Sequence, residues 1–416
     1  MTDARRADRV LRIPAFAKYW SAATIGGFGT FVTIVAVQVL VVETLDATPT
    51  EVGLINSVQF LPYMLLGLIA GGLVDRWRRK PVLVATAFGR CLLLLTIPLL
   101  WVTGMLSLPA LAVVLFGFGT LAIFGDAAAQ SFLPRLVPRG SLLVANARVD
   151  QSLTVAQTSG PVIGGGLVSL VGAPLAVLVD ALAYAASGVL VGRIRVSEPK
   201  PARTAPRGRL LRSVAEGVRF VYRHRTLAPM AWSTHVWFLG HSILFTVFAP
   251  FALRPLGLNP LQFGFVLALA GVGGLVGATL ATRIGQRIGA GHTILLGKAL
   301  IPVAWVMIAL APPSDTAGAV ITLTVVGAAQ LLHGFSMGVE NPNEMGYRQA
   351  VTPDALQGRM NATMRSINRS MVVVGALVGG LLADTLGYRP AIWIGLGVFV
   401  VSAIVVAASP LRSVRH

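Results

Sequence analysis

The sequence predicts an all-α membrane protein of twelve transmembrane helices, arranged as two pseudo-symmetric halves of six. Three observations predict it. Hydrophobic residues make up 55% of the 416-residue chain and charged residues only 12%, with a mean hydropathy of +0.75. The apolar residues fall into twelve runs of about 20 residues, the length that crosses a bilayer. The fifth and eleventh runs also repeat one another. A shift of 215 positions carries Asn146 onto Asn361, Gly160 onto Gly375, Gly164 onto Gly379, Gly165 onto Gly380, Leu167 onto Leu382 and Gly172 onto Gly387. Such a repeat fits parallel halves related by an axis along the membrane normal.

The spans follow in order. Span 1 covers 16–42 after an arginine-rich head, and Glu43, Asp46 and Glu51 mark the turn into span 2 at 52–74. Spans 3 to 6 cover 81–102, 108–133, 143–171 and 174–191, with Pro134, Arg135, Pro138 and Arg139 marking the loop before span 5. Spans 7 to 12 cover 227–252, 261–282, 292–311, 317–343, 358–383 and 389–408. Residues 193–225 are polar and rich in Pro and Arg, so they read as a linker between a half at 1–192 and a half at 226–416. Within the linker, 213–222 reads as an amphipathic helix on the membrane surface.

The net charge of +18 is a topology signal. Only Arg254 and Arg389 face the side opposite the termini, and Arg90 lies inside span 3. The other cations, Lys298 counted among them, fall on the side of the termini, which is therefore cytoplasmic by the positive-inside rule. A nucleic-acid partner is excluded by that distribution. No cleavable signal is legible, and the single cysteine, Cys91, excludes an internal disulfide. Gly334-Phe335-Ser336-Met337-Gly338 matches a nucleophile-elbow pattern, but it lies within a span rather than at a strand-to-helix turn. Without a metal-binding helix motif or phosphate loop, no catalytic residue, metal or cofactor is expected.

Residues 71–83, GGLVDRWRRKPVL, form a short basic hairpin between spans 2 and 3. The stretch resembles the signature loop of the major facilitator superfamily, apart from Arg78 where the family often has glycine. The resemblance implies the major facilitator fold and a cytoplasmic conformational latch made of Asp75, Arg76, Arg79 and Lys80. In it Asp75 would face the start of helix 11 and Arg79 an acid at the end of helix 4. Gly160-Pro161-x-x-Gly164-Gly165 is similar to the family's antiporter motif in helix 5, although Ala156 stands where a further glycine is usual. Phe60-Leu61-Pro62, Leu133 to Pro138 with Ala145-Asn146-Ala147, and Gln357 to Asn361 are similar to the twelve-helix drug:proton antiporter branch, which includes macrolide-efflux and siderophore-exporting members.

Ionisable groups inside a membrane are expensive and so mark function. Asp126, Glu340, Glu344 and Asp180 are the candidates for proton coupling. Arg90 needs a carboxylate, with Asp126 or Asp180 within reach. Asp126 could equally pair with Arg79, and Glu340 with Arg348 or Arg359. If helices 1, 4, 7 and 10 line the cavity, as in the family, its candidates are Gln38, Arg90, His235, Phe238, His241, Gln330, His333 and Ser336. Such an aromatic, sparsely charged wall suits an amphipathic solute. Two faces of span 7 compete for the cavity: His235, Phe238 and His241, or Trp237, Ser233 and Leu244.

The function expected is export of an amphipathic small molecule in exchange for protons, by rocking of the two halves. The alternatives are a dedicated exporter of an endogenous metabolite such as a siderophore, or proton-independent movement of a lipid-like substrate. The expected setting is a bacterial inner membrane, with the protein a multi-pass monomer whose partners are substrate, protons and lipid.

Overall fold

The structure, a computed structural model, describes residues 10–74, 76–196, 198 and 207–414. The side chains at 68, 69, 71, 72, 207–214 and 355 also lie outside the described set. The long helices are α1 (Pro14–Val39), α2 (Pro49–Val74), α3 (Arg79–Val102), α4 (Leu108–Phe132), α5 (Leu142–Val171) and α6 (Ala173–Gly192). After α7 (Arg207–Arg223) come α8 (Leu227–Leu253), α9 (Pro260–Ile288), α10 (Ala290–Leu310), α11 (Ala319–Ala350), α12 (Asp354–Leu386) and α13 (Tyr388–Ala407). Among the described residues, ten helices are long and apolar enough to cross a membrane: all of these except α2, α5 and α7. α2 and α5 are 26 and 30 residues long, and the polar and small residues of α5 dilute its hydropathy.

Helix boundaries follow local chemistry. Proline stands in the first turn of α1, α4, α6 and α9, where its missing N–H costs nothing. Asn259 and Gln262 close a capping box at the start of α9. A single glycine joins α5 to α6 (Gly172, φ 83°) and α12 to α13 (Gly387, φ 91°), a backbone state that side-chain-bearing residues avoid. These two glycines are partners in the sequence repeat.

Packing repeats as the sequence does. α1 packs on α5 and α6, α4 on α2 and α3, and α3 on α6. Six spans on, α8 packs on α12 and α13, α11 on α9 and α10, and α10 on α13. The two groups meet along α2·α12 and α5·α9. The repeated glycines sit on these crossings. Gly160 and Gly164 press on Phe31, Val32 and Val35 of α1, as Gly375 and Gly379 press on Leu239 and Ile243 of α8. Gly165 touches the Pro260 carbonyl of α9, and Gly380 the Pro49 carbonyl of α2. Without side chains at these positions, each helix touches two neighbours at backbone distance.

The core is divided unevenly. One large buried cluster joins both groups at the end away from the termini, including Val39 to Val42 and Val247 to Leu253. At the termini end the clusters stay separate, one around Phe16 and Phe132 and another around Met230 and Ile294. The far end is also tied by polar bonds. Arg254 donates to the Val42 and Ala47 carbonyls at 2.7 and 3.0 Å and pairs with Asp46 at 2.7 Å. Thr50 donates to Asp384 at 2.6 Å.

Two expectations are adjusted here. α7 lies against α12, held by the Glu216–Arg359 ion pair and by Gly217 against the Arg359 carbonyl, so it is more than a surface helix. Lys298 is not a loop cation. It lies within α10 at 1% exposure, paired with Glu340 at 2.7 Å, because a buried carboxylate on the next helix offsets its desolvation.

Candidate functional site

Where the two groups stay apart, the space between them forms contiguous chambers. The central one, about 460 Å³, is lined by α1, α2, α3, α4 and α6 on one side and by α8 and α12 on the other. Its rings are Phe60, Tyr63, Phe118, Tyr184, Phe238 and Phe245. Polar residues converge on it in a chain, with Gln38 donating to Asn56 at 2.9 Å and Asn56 to Thr246 at 3.4 Å. A second chamber of about 570 Å³ opens within the second group, beside Lys298, Glu340 and Glu344, and shares Phe238, His241 and Arg369 with the first. A third, about 680 Å³, lies between α2, α4 and α12 and shares Tyr63, Asp126 and Arg369.

The charged residues are arranged in pairs. Arg90 points from α3 into the central chamber. It donates to Tyr184 at 3.2 Å and to the Leu121 carbonyl at 3.1 Å, and its guanidinium lies over the Phe118 and Tyr184 rings. Its carboxylate is Asp126 at 3.9 Å; Asp126 also accepts from Tyr63 at 2.7 Å and its side chain is 56% exposed to the cavity. Asp180 lines the same chamber but is fully buried against Gly29 of α1. Glu340 pairs with Lys298 rather than with Arg348 or Arg359. Glu344 takes Arg348 at 3.7 Å and a bond from Thr234 at 3.2 Å.

α8 meets both chambers, with Thr234 and Trp237 lining the second alone. Phe238 and His241 line both chambers. His241 stacks on Trp237 at 4.7 Å and on His333 at 5.9 Å. His235 belongs to a different face. Its Nδ1 bonds the Asn368 side-chain oxygen and its Nε2 bonds the Tyr222 hydroxyl of α7, each at 2.6 Å. Burial pushes the Tyr222 hydroxyl up, which suits it as the donor to Nε2. Ser233 bonds Ser402 of α13, and Leu244 is buried; neither lines a chamber.

On α11, His333 accepts from Trp305 at 3.3 Å, and Gln330 and Ser336 are buried. All three lie behind the chamber wall rather than on it. Ser336 donates to the Leu332 carbonyl at 2.7 Å in mid-helix, so the strained turn that an elbow serine needs is absent there.

In the basic hairpin, Asp75 lies outside the described residues. Arg79 opens α3, is buried, and donates to the Trp77 carbonyl at 3.2 Å, while the Lys80 amide donates to Glu198 at 3.1 Å and Arg76 is exposed. The helix-5 motif residues Gly160, Pro161, Gly164 and Gly165 lie on the α1 and α9 crossings; Gly264 of α9 presses on the Pro161 carbonyl. Among the described residues, no cluster of three or more His, Cys, Asp or Glu could hold a metal.

Sequence reading missed Lys298, Arg365 and Arg369. A lone lysine six residues into span 9 was a legible signal, as were two arginines a turn apart inside span 11. Both were absorbed into the cytoplasmic charge excess.

The chain matches the family described as "Transmembrane secretion effector" (MFS_3) over residues 9–416. It is 28% identical over 394 residues to the "Multidrug efflux pump Tap" of Mycobacterium tuberculosis, covering 90% of this chain and 88% of that one. Among solved structures, the nucleoside transporter NupG superposes with a TM-score of 0.74 at 13% identity, over 95% of this chain and 98% of that one. A bacterial homologue of the iron transporter ferroportin, in its inward-facing state, gives 0.72 at 16% identity, over 97% and 99%. Those two likenesses speak for the fold. A helical chain with ten apolar spans among its described residues and chambers between two packed groups, matched to this family almost end to end, is a multi-pass membrane transporter, not an enzyme, and belongs to the transmembrane secretion effector family of the major facilitator superfamily.

Proposed function

We propose that the protein is a secondary transporter exporting an amphipathic small molecule in exchange for protons. In this reading all twelve long helices span a bacterial inner membrane, as six-helix halves at 1–192 and 226–416 joined by the linker 193–225. Both termini are cytoplasmic, and the monomer works by alternating access. Repeated packing supports the halves, and the excess of cations at the termini end supports the orientation. The relatives named multidrug efflux pumps favour export.

One observation carries the coupling. The buried Lys298–Glu340 pair borders a chamber continuous with the aromatic one. A carboxylate held there by one cation can exchange its proton when the chamber opens to a different side, and neutralising it frees Lys298 to shift. Glu340 is thus the proton carrier, with Asp126 second, while Glu344 is held by Arg348. Asp75, Arg76, Arg79 and Lys80 form the latch of the termini end. Gln38, Arg90, Phe238 and His241 contact the solute; His235, Gln330, His333 and Ser336 support the wall.

The test is transport of a fluorescent amphipathic dye in proteoliposomes under an imposed pH gradient. Accumulation against the dye's own gradient, abolished by a protonophore, is expected. Uphill transport indifferent to the protonophore rejects proton exchange.

A second reading is favoured by the α8 face. Phe238 and His241 line the central chamber, whereas Trp237 of the rival face reaches only the second and Ser233 and Leu244 neither. That central stacking and hydrogen-bonding surface suits a dedicated exporter of one flat, oxygen-rich metabolite such as a siderophore. Protection of Phe238→Cys from a thiol reagent by a single metabolite, in a Cys91→Ala background, would distinguish it.

A further inference from the structure

Once the charged pairs around the chambers are matched, two cations remain. Arg90 has Asp126, Lys298 has Glu340 and Arg348 has Glu344. Arg365 and Arg369 of α12 line the second and third chambers, and Arg369 lines the central one as well. Neither makes an ion pair among the described residues.

Four residues apart on one helix, they share a face and are separated by about 6 Å of rise. Arg369 stands fifteen residues into the 33-residue α12, about 22 Å from its start, too deep to be only an interfacial anchor. Its guanidinium lies over the Phe60 and Tyr63 rings of α2, at 5.3 and 5.2 Å from their centroids. That contact crosses from the second group of helices to the first.

An unpaired guanidinium at such depth is costly, and two ring faces offset only part of the cost. The rings flank the guanidinium and leave its N–H fork without a carboxylate. An oxyanion bound in two-point fashion completes such a fork. The surrounding Phe60, Tyr63 and Phe238 would stack a flat ring attached to it. Asp126, the acid that shares the central and third chambers with Arg369, is already bonded by Tyr63 and faces Arg90.

We propose that Arg365 and Arg369 form an anion site, and that the solute taken by this cavity is a flat aromatic molecule carrying a carboxylate, sulfonate or phosphate. The site rests on the reading of the cavity as the transport site, and it bridges the two groups of helices that must move relative to one another. A ligand held between Arg369 and the α2 rings would therefore sense their separation directly.

Fluorescein and rhodamine 6G share a xanthene ring and differ in charge, so they serve as the probes. Binding to the full chain in lipid nanodiscs is read by fluorescence anisotropy, with empty nanodiscs as reference. Wild type is expected to bind fluorescein at least about tenfold more tightly than rhodamine 6G. The double substitution Arg365→Gln and Arg369→Gln should lose that preference while keeping rhodamine binding. Arg365→Lys with Arg369→Lys, which keeps the charge but not the planar fork, should fall between and guards against a folding defect. Equal or tighter binding of rhodamine 6G by wild type, lost in Asp126→Asn and unmoved by the arginine substitutions, overturns the anion site and leaves the transporter reading standing. Tight, arginine-dependent fluorescein binding that proteoliposomes never convert to transport keeps the anion site and overturns export.

Discussion

Lys298 and Glu340 are the residues whose environment leaves least freedom. At 2.7 Å, with side chains 1% and 5% exposed, each is the other's replacement for water. Removing one partner leaves a buried charge uncompensated, at a cost of about 3–5 kcal/mol. Lys298→Met should therefore lower the thermal stability of the purified protein and its level in the membrane. The double variant Lys298→Met, Glu340→Gln should recover most of that stability, because both charges are gone. PH-driven accumulation should stay lost in the double variant while downhill exchange persists. Recovery of uphill transport at the wild-type rate would move the coupling to Asp126. The latch follows the same logic at Asp75: Asp75→Asn should reduce transport at normal expression, and full activity would reject the latch.

At the scale of elements, the two helix crossings between the groups depend on glycine. A methyl on Gly165 would run into the Pro260 carbonyl, and one on Gly380 would lie 2.5 Å from the Pro49 carbonyl. Backbone atoms cannot rotate aside as side chains do, so α5 and α9, or α2 and α12, would have to separate. Gly165→Ala and Gly380→Ala should each cut transport several-fold with the protein still inserted. Gly397→Ala on α13, where a methyl meets nothing within 4 Å, is the matched control and should transport normally. Equal activity of all three variants would show that the crossings tolerate looser packing. α7 is a third element with a definite job, since Glu216 and Tyr222 tie the linker to α12 and α8.

At the scale of the molecule, the far end is closed by the large core cluster, the two crossings and Arg254, while the second and third chambers lie toward the termini. Arg254→Ala removes bonds to the Val42 and Ala47 carbonyls and to Asp46. Losing about 1–2 kcal/mol of closure shifts the balance of open states roughly tenfold. Phe238→Cys in a Cys91→Ala background should react with an impermeant thiol reagent from the cytoplasmic side alone. With Arg254→Ala added, it should react from both sides. Labelling from the outside in both backgrounds would reject the assignment of Arg254 as an outer lock.

Composition and the spacing of apolar runs were enough to determine a helical membrane protein, because a bilayer leaves backbone groups no partner but their own helix. The 215-residue repeat also foretold which glycines would do equivalent work, since Gly165 and Gly380 proved to be counterparts on the two crossings. Helical spacing put Phe238 and His241 on one face, but whether that face or the one with Trp237 would meet the central chamber was left open. Which acid meets which cation was not, because pairing depends on the rotation and depth of helices far apart in sequence. Lys298 looked like one more positive-inside charge until α10 packed on α11 and set it against Glu340. His235 shared a stripe with Phe238 and His241, yet Tyr222 and Asn368 drew it to another neighbour. Arg365 and Arg369 lay inside a predicted span in plain view. Only the tertiary structure decided that they face an open chamber, because their meaning comes from the α2 rings across it and from the carboxylates that other cations had already taken.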